Sequence, residues 1–229
     1  SDEAVLLFFR QQVREADLRR LKAHEDATYD LHEEINLSEL EPLIEKPSSP
    51  GNVVKVREVA GNEVYQAYIG SSANPGLRDF AIPALVLDGR SVHDRISFDV
   101  NPTSRQILEN LMALGLMSKL VHAGARIHQA GCNGCIGMGQ APATGRISLR
   151  TVPRNFPARS GTKEDSVYLC SPETAVAAAI TGKITDPRDL DIPYPQFEEP
   201  EEIILNKKML VPPLSATAHI ELEKGPNIK

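Results

Sequence analysis

The sequence contains no tryptophan, and aromatic residues make up only 5% of it. Its core must therefore be built from aliphatic side chains. Positive charge is also scarce: 25 Lys and Arg stand against 31 Asp and Glu, a formal net charge of −6. That balance argues against nucleic acid as the main partner. No apolar run approaches the ~20 residues of a membrane span. The opening "SDEAVLLFFRQQVRE" puts acids first and has no cleavage site, so it does not read as a signal peptide. Cysteine is rare, with three in 229 residues, too few for a disulfide framework. The expectation is a reducing compartment: the cytoplasm, or the mitochondrial matrix in a eukaryote. The chain starts without Met and stops at "GPNIK", so it is expected to be a piece of a longer protein.

What is present points to an α/β domain. Hydrophobic residues are 41% of the chain, enough for a core. Val5, Leu6, Phe9, Val13, Leu18 and Leu21 predict a helix over residues 3 to 22. "PLIEKPSSPGN", from Pro42 to Asn52, reads as a turn-rich break. Strand-like and helix-like segments then alternate. "VYQAYIG", "RISFDV", "GARIHQAG", "GRISLRTVP" and "DSVYLC" are strands. "NPGLRDFAIPALVLDG" is a helix with Asn74 as N-cap and Pro75 in its first turn, kinked or broken at Pro83. "NPTSRQILENLMALG" repeats the Asn-Pro start signal. "SPETAVAAAITG" is a small-residue helix capped by Ser171 and stopped by Gly182. The expectation is a three-layer α/β/α domain with a mostly parallel sheet over residues 1–190. Residues 191–229, Pro-rich and acidic at first, read as an extended linker or tail. In such sheets ligands bind beyond the carboxyl ends of the strands. Gly70, Cys132, Arg154 and Cys170 all fall at or just after strand ends.

Two of the three cysteines share one stretch, "QAGCNGCIGMG". Cys132 and Cys135 in C-x-x-C spacing suit a redox pair, half of a zinc site or part of an iron–sulfur site. A thioredoxin-type pair opens a long helix, which the flanking glycines do not favour. A zinc site wants four ligands, and the chain has no second C-x-x-C. Glycines let backbone approach a bulky ligand, which favours a cluster. "PRNFPARSGT" brings Arg154 and Arg159, two planar forks able to converge on a carboxylate. The plainer reading is two solvated surface arginines. His128, just before the cysteine motif, reads as a packed, hydrogen-bonded histidine.

In combination these motifs resemble the aconitase family. "AGCNGCIGMG" is similar to the family's two-cysteine cluster segment, and "PRNFPARSG" to its "NRNF-x-GR" segment, whose arginines hold substrate carboxylates. "YLCSPETAVAAAITGKI" resembles its Ser-Pro-Glu helix start. "YIGSSANPGLRDF" aligns with its "IGSCTN" motif, and "HEEINLSELEP" with a segment upstream. The resemblance implies a 4Fe–4S hydro-lyase that interconverts citrate and isocitrate through cis-aconitate. An isopropylmalate- or homoaconitate-type hydro-lyase, or a non-catalytic binding subunit, is the alternative. It implies Cys132 and Cys135 as cluster ligands, Arg154 and Arg159 as substrate-binding residues, and a small tricarboxylate as substrate. The chain corresponds to the third of four family domains plus the linker onward. The remaining domains, covalent or as a split subunit, are implied partners, and no catalytic acid or base is assigned within this chain. Two positions depart from the pattern. Ser72 stands where the family has its third cluster cysteine, and Pro153 where it has an asparagine. The third ligand is then Ser72 or Cys170. Cys170 is favoured if the sheet brings it near the pair, and the following helix N-terminus is expected to lower its pKa.

Overall fold

A computed structural model describes residues 1–72, 76–163, 166–215, 219 and 224–226. Seven strands form one sheet: β1 (Leu43–Glu45), β2 (Val53–Lys55), β3 (Gln66–Gly70), β4 (Ser97–Asn101), β5 (Arg126–Ile127), β6 (Ile147–Arg150) and β7 (Ser166–Cys170). Their order is β2-β1-β7-β6-β3-β4-β5. From β7 to β5 every neighbouring pair is parallel, and β1 and β2 add an antiparallel edge. The protein is thus α/β with a mostly parallel sheet, as its alternating pattern predicts. The carboxyl ends of β3, β4, β6 and β7 share one edge.

Period-two alternation separates the faces of this sheet. Ala67, Ile69, Phe98, Val100 and Leu149 belong to the main aliphatic core. Helices α2 (Arg78–Val86) and α5 (Pro172–Thr181) pack on β3 from that side. Helices α3 (Arg105–Ala113) and α4 (Leu116–Ala123) extend the layer behind α2. Gln66, Tyr68, Asp99, Asn101, Ser148 and Arg150 alternate with those core residues and point the other way. All six are buried. The layer over them is coil with one 3-10 turn, Gly134–Ile136, rather than helix.

Several local expectations change. The first helix, α1, spans only Glu3–Gln11. Val13 takes a left-handed φ of 56°, which a β-branched residue cannot carry inside a helix. Leu21 is 76% exposed, so no apolar stripe is buried along the expected second half. The stretch read as a break contains β1, while its Pro and Gly residues turn the chain into β2. Pro83 is buried inside α2 without ending it. Asn101 does not start a helix: it ends β4, and Ser104 caps α3 by accepting from Ile107 N at 3.2 Å. Asn74 and Pro75 lie outside the described residues. Helix α5 is as expected, with Ser171 Oγ accepting from Thr174 N at 3.2 Å and Gly182 at a φ of 76°. The segment after Asp191 runs along the domain. Tyr194 Oη donates to Glu173 at 2.9 Å, Gln11 Nε2 donates to the Pro200 carbonyl at 2.7 Å, and Asn110 bonds both backbone groups of Ile204.

Candidate functional site

The site forms where β3 and β4 end. Gly70 has a φ of 124°, and a Cβ there would sit 2.0 Å from the Asn101 carbonyl oxygen. Only glycine lets the two strand ends pass so closely. The chain then turns through Ser71, which is fully buried at a φ of 68°. Its amide donates to the Asn101 carbonyl at 3.1 Å. Ser71 Oγ thereby reaches Cys132 Sγ at 3.1 Å, and Ser72 Oγ lies 3.7 Å from the same sulfur.

The cysteine loop arrives from β5. Cys132 is exposed and Cys135 buried, and their sulfurs are 3.0 Å apart as free thiols. The hydrogen bond with Cys135, then that from Ser71, brings the Cys132 pKa down to about 7. Burial pushes the Cys135 thiol up. Ionisation is thus favoured at Cys132 over Cys135, and the two titrate as a pair. Two of the loop glycines meet the protein itself. A Cβ at Gly134 would meet the Tyr68 ring at 2.4 Å, and one at Gly137 the Ser160 carbonyl at 2.2 Å. Gly134 and Gly137 let the loop lie close on its own protein, whereas a Cβ at Gly139 would meet open space.

Beneath the loop lies a buried polar layer. Tyr68 Oη donates to Asn101 Oδ1 at 2.6 Å, and burial raises the phenol's pKa, keeping it a neutral donor. Gln66 Nε2 donates to Asp99 at 3.1 Å. His128 Nε2 lies 3.0 Å from Asp99, and its Nδ1 lies 3.2 Å from Gln140 Nε2. His128 is thus the packed, hydrogen-bonded residue expected of it.

The arginine segment follows β6. Buried Asn155 fixes it by donating to the carbonyls of Lys46 (2.9 Å) and Val167 (3.2 Å). Half-buried Arg159 points at the cysteines, with Nη1 3.5 Å from the Cys135 carbonyl and Nη2 4.0 Å from its sulfur. Arg154 is exposed on the same segment.

Cys170 is not brought to the pair. It packs with Tyr168 against the helix-covered core, whereas Cys135 clusters with Tyr68, Val167 and Leu169 on the opposite face. Nor does the helix N-terminus lower its pKa. Burial, with Glu173 and Glu45 nearby, pushes the thiol up. The site therefore gathers Cys132, Cys135, Ser71, Ser72 and Arg159. The sequence reading missed Ser71 and the buried layer. Its signal was polar residues at alternate positions of otherwise apolar strands.

The sequence pattern of the aconitase family (aconitate hydratase) matches residues 55–182. Three curated relatives agree. The 3-isopropylmalate dehydratase large subunit 2 of Archaeoglobus fulgidus is 38% identical over 190 residues, covering 82% of this chain and 46% of the relative. The large subunit 1 of the same enzyme from Methanopyrus kandleri is 40% identical over 189 residues (82% and 45%). The large subunit 1 from Thermotoga maritima is 38% identical over 191 residues (82% and 46%).

The chain belongs to the aconitase family. It spans about half the length of the curated relatives it matches. Among the described residues, no three His, Cys, Asp or Glu side chains gather to hold a metal. Two soft thiols and the Ser72 hydroxyl do gather, a set that fits an iron–sulfur group with oxygen in the third place.

Proposed function

We propose that this chain is the cluster- and carboxylate-binding part of a 3-isopropylmalate dehydratase-type hydro-lyase, completed by further domains or a smaller subunit. The observation that carries it is the convergence of Cys132, Cys135, Ser72 and Arg159 at the carboxyl edge of the parallel strands. Cys132, Cys135 and Ser72 would hold a 4Fe–4S cluster, which supplies Lewis-acid activation of a substrate hydroxyl. The protein's own share is binding and orientation. Arg159, anchored on the Cys135 carbonyl, keeps a guanidinium beside the reacting centre and offers its remaining N–H groups to a carboxylate. Arg154 stands exposed and supplies a second fork to a dicarboxylate. Ser71, buried and donating to Cys132 Sγ, favours ionisation of that sulfur. No general base is assigned here, so the proton acceptor comes from another part of the enzyme.

Anaerobic reconstitution of the full chain with iron and sulfide tests this reading. The expected product is brown, EPR-active on reduction or mild oxidation, and contains about four iron atoms per chain. Ser72→Cys should hold its iron longer against a chelator. A colourless chain with both thiols free overturns the reading. That outcome would favour a non-catalytic binding subunit, to which the serine at position 72 also points.

A further inference from the structure

Arg150 ends β6 directly beneath the cysteine loop, and its side chain is entirely shielded from solvent. The guanidinium sits over the Tyr68 ring, 5.3 Å from the centroid. Its Nη1 donates to the Gly134 carbonyl at 2.7 Å, and an Nη2 hydrogen bond reaches the Gln140 carbonyl. Gly134 lies between the two cysteines, and Gln140 closes the loop. One rigid fork therefore grips the cysteine loop at its middle and its far end. The fork is itself fixed from below, with Nε donating to Ser148 Oγ at 2.9 Å and Nη2 to Gln66 Oε1 at 2.7 Å. Gln66 also accepts from Ser148 Oγ at 2.7 Å, so the three side chains brace one another.

We propose that Arg150 is a positioning residue that sets the separation and orientation of the Cys132 and Cys135 sulfurs. A loop held only by glycine turns samples many conformations. Planar donors aimed at two of its carbonyls select one of them. A lysine would keep the charge but, as a single-point donor, could not span both carbonyls. The proposal rests on reading the cysteine pair as the reactive centre of the site, and not on what that pair binds.

The test reads the thiols directly in the cluster-free full chain. In glutathione redox buffers, the equilibrium between dithiol and disulfide measures the effective concentration of one thiol at the other. Arg150→Met is expected to lower it about tenfold, and Arg150→Lys to fall between Arg150→Met and the parent. Leu149→Ala, on the opposite face of the same strand, is the control: it should lower the melting temperature without moving the equilibrium. If Leu149→Ala moves the equilibrium as far as Arg150→Met, or if both Arg150 variants leave it unchanged, the role is only structural and the proposal falls. NMR of the unaltered chain is independent of how the variants fold. The Arg150 guanidinium should give separate, slowly rotating N–H signals, and a single averaged signal overturns the clamp. Failure of iron reconstitution would not alter these readouts, so the two readings fail separately.

Discussion

Replacing Gly134 by alanine should damage both stability and the site. The new Cβ would lie 2.4 Å from Tyr68 Cε2, 2.6 Å from its hydroxyl oxygen and 2.7 Å from Cζ. Carbon pairs rest at about 3.5–4.0 Å, so the overlap is about 1 Å against a ring atom. The ring cannot swing aside, because Tyr68 is fully buried and its hydroxyl is tied to Asn101 at 2.6 Å. Two effects then compete. Alanine restricts the unfolded chain, which stabilises by ~0.4–1 kcal/mol. Overpacking a close-fitted position costs ~1–3 kcal/mol. The clash wins by about 1–2 kcal/mol, and the loop must lift from Arg150 to relieve it. For a chain of this size each kcal/mol shifts Tm by about 2–4 °C, so a drop of about 2–8 °C is expected. Gly51→Ala is the comparison. A Cβ there meets only Ser49 Oγ, at 3.7 Å, an ordinary contact, and the position is exposed. Its Tm should stay level or rise. Scanning calorimetry of both variants decides the matter. Gly134→Ala melting at or above the parent would refute the close-packing argument.

Two further predictions concern neighbours of the pair. Cys132 should be alkylated by iodoacetamide at a rate that rises with pH through a midpoint near its pKa of about 7, because the thiolate is the nucleophile. Ser71→Ala removes a donor to the thiolate, so the midpoint should move up and the rate at pH 7 should fall; an unmoved midpoint would contradict the role given to Ser71. Ala158 holds a φ of 61° in the arginine segment. Ala158→Gly should relieve a left-handed strain of ~1–2 kcal/mol, less ~0.4–1 kcal/mol for the freer unfolded chain. A small rise in the denaturation midpoint is expected, and a fall would count against strain at this turn.

The alternation of strand and helix was legible because each element carries its own signal. β3, β4, β6 and β7 are short strand-like segments bounded by turn residues, and Ser171 with Gly182 brackets α5. What escaped needed tertiary information. β1 is three residues long and exists because it pairs with β7. α4 follows α3 after a single left-handed Gly115, which reads as an end rather than a corner. The cysteines and arginines were legible as chemistry, since their types and spacing limit what they can do. Arg150 was not, because its meaning lies in its register: Tyr68 is its neighbour on β3, and the loop above ends at its guanidinium.

Cys170 illustrates how local and global signals can disagree within one strand. Its position at a strand end, before a helix N-terminus, is a local argument for a reactive thiol. Parity argues otherwise. Val167 and Leu169 face the cysteine loop, so Tyr168 and Cys170 must face the helices. The register makes this binding, because Cys170 pairs with core residue Ile44. Two strand positions also separate β7 from β3, about 10 Å at the usual spacing. Position 72 meets the pair for the opposite reason: Gly70 lets β3 turn over the end of β4, and the next two residues fall against Cys132. The geometry therefore brings two hydroxyls, and not the third thiol, against Cys132 at the end of β3.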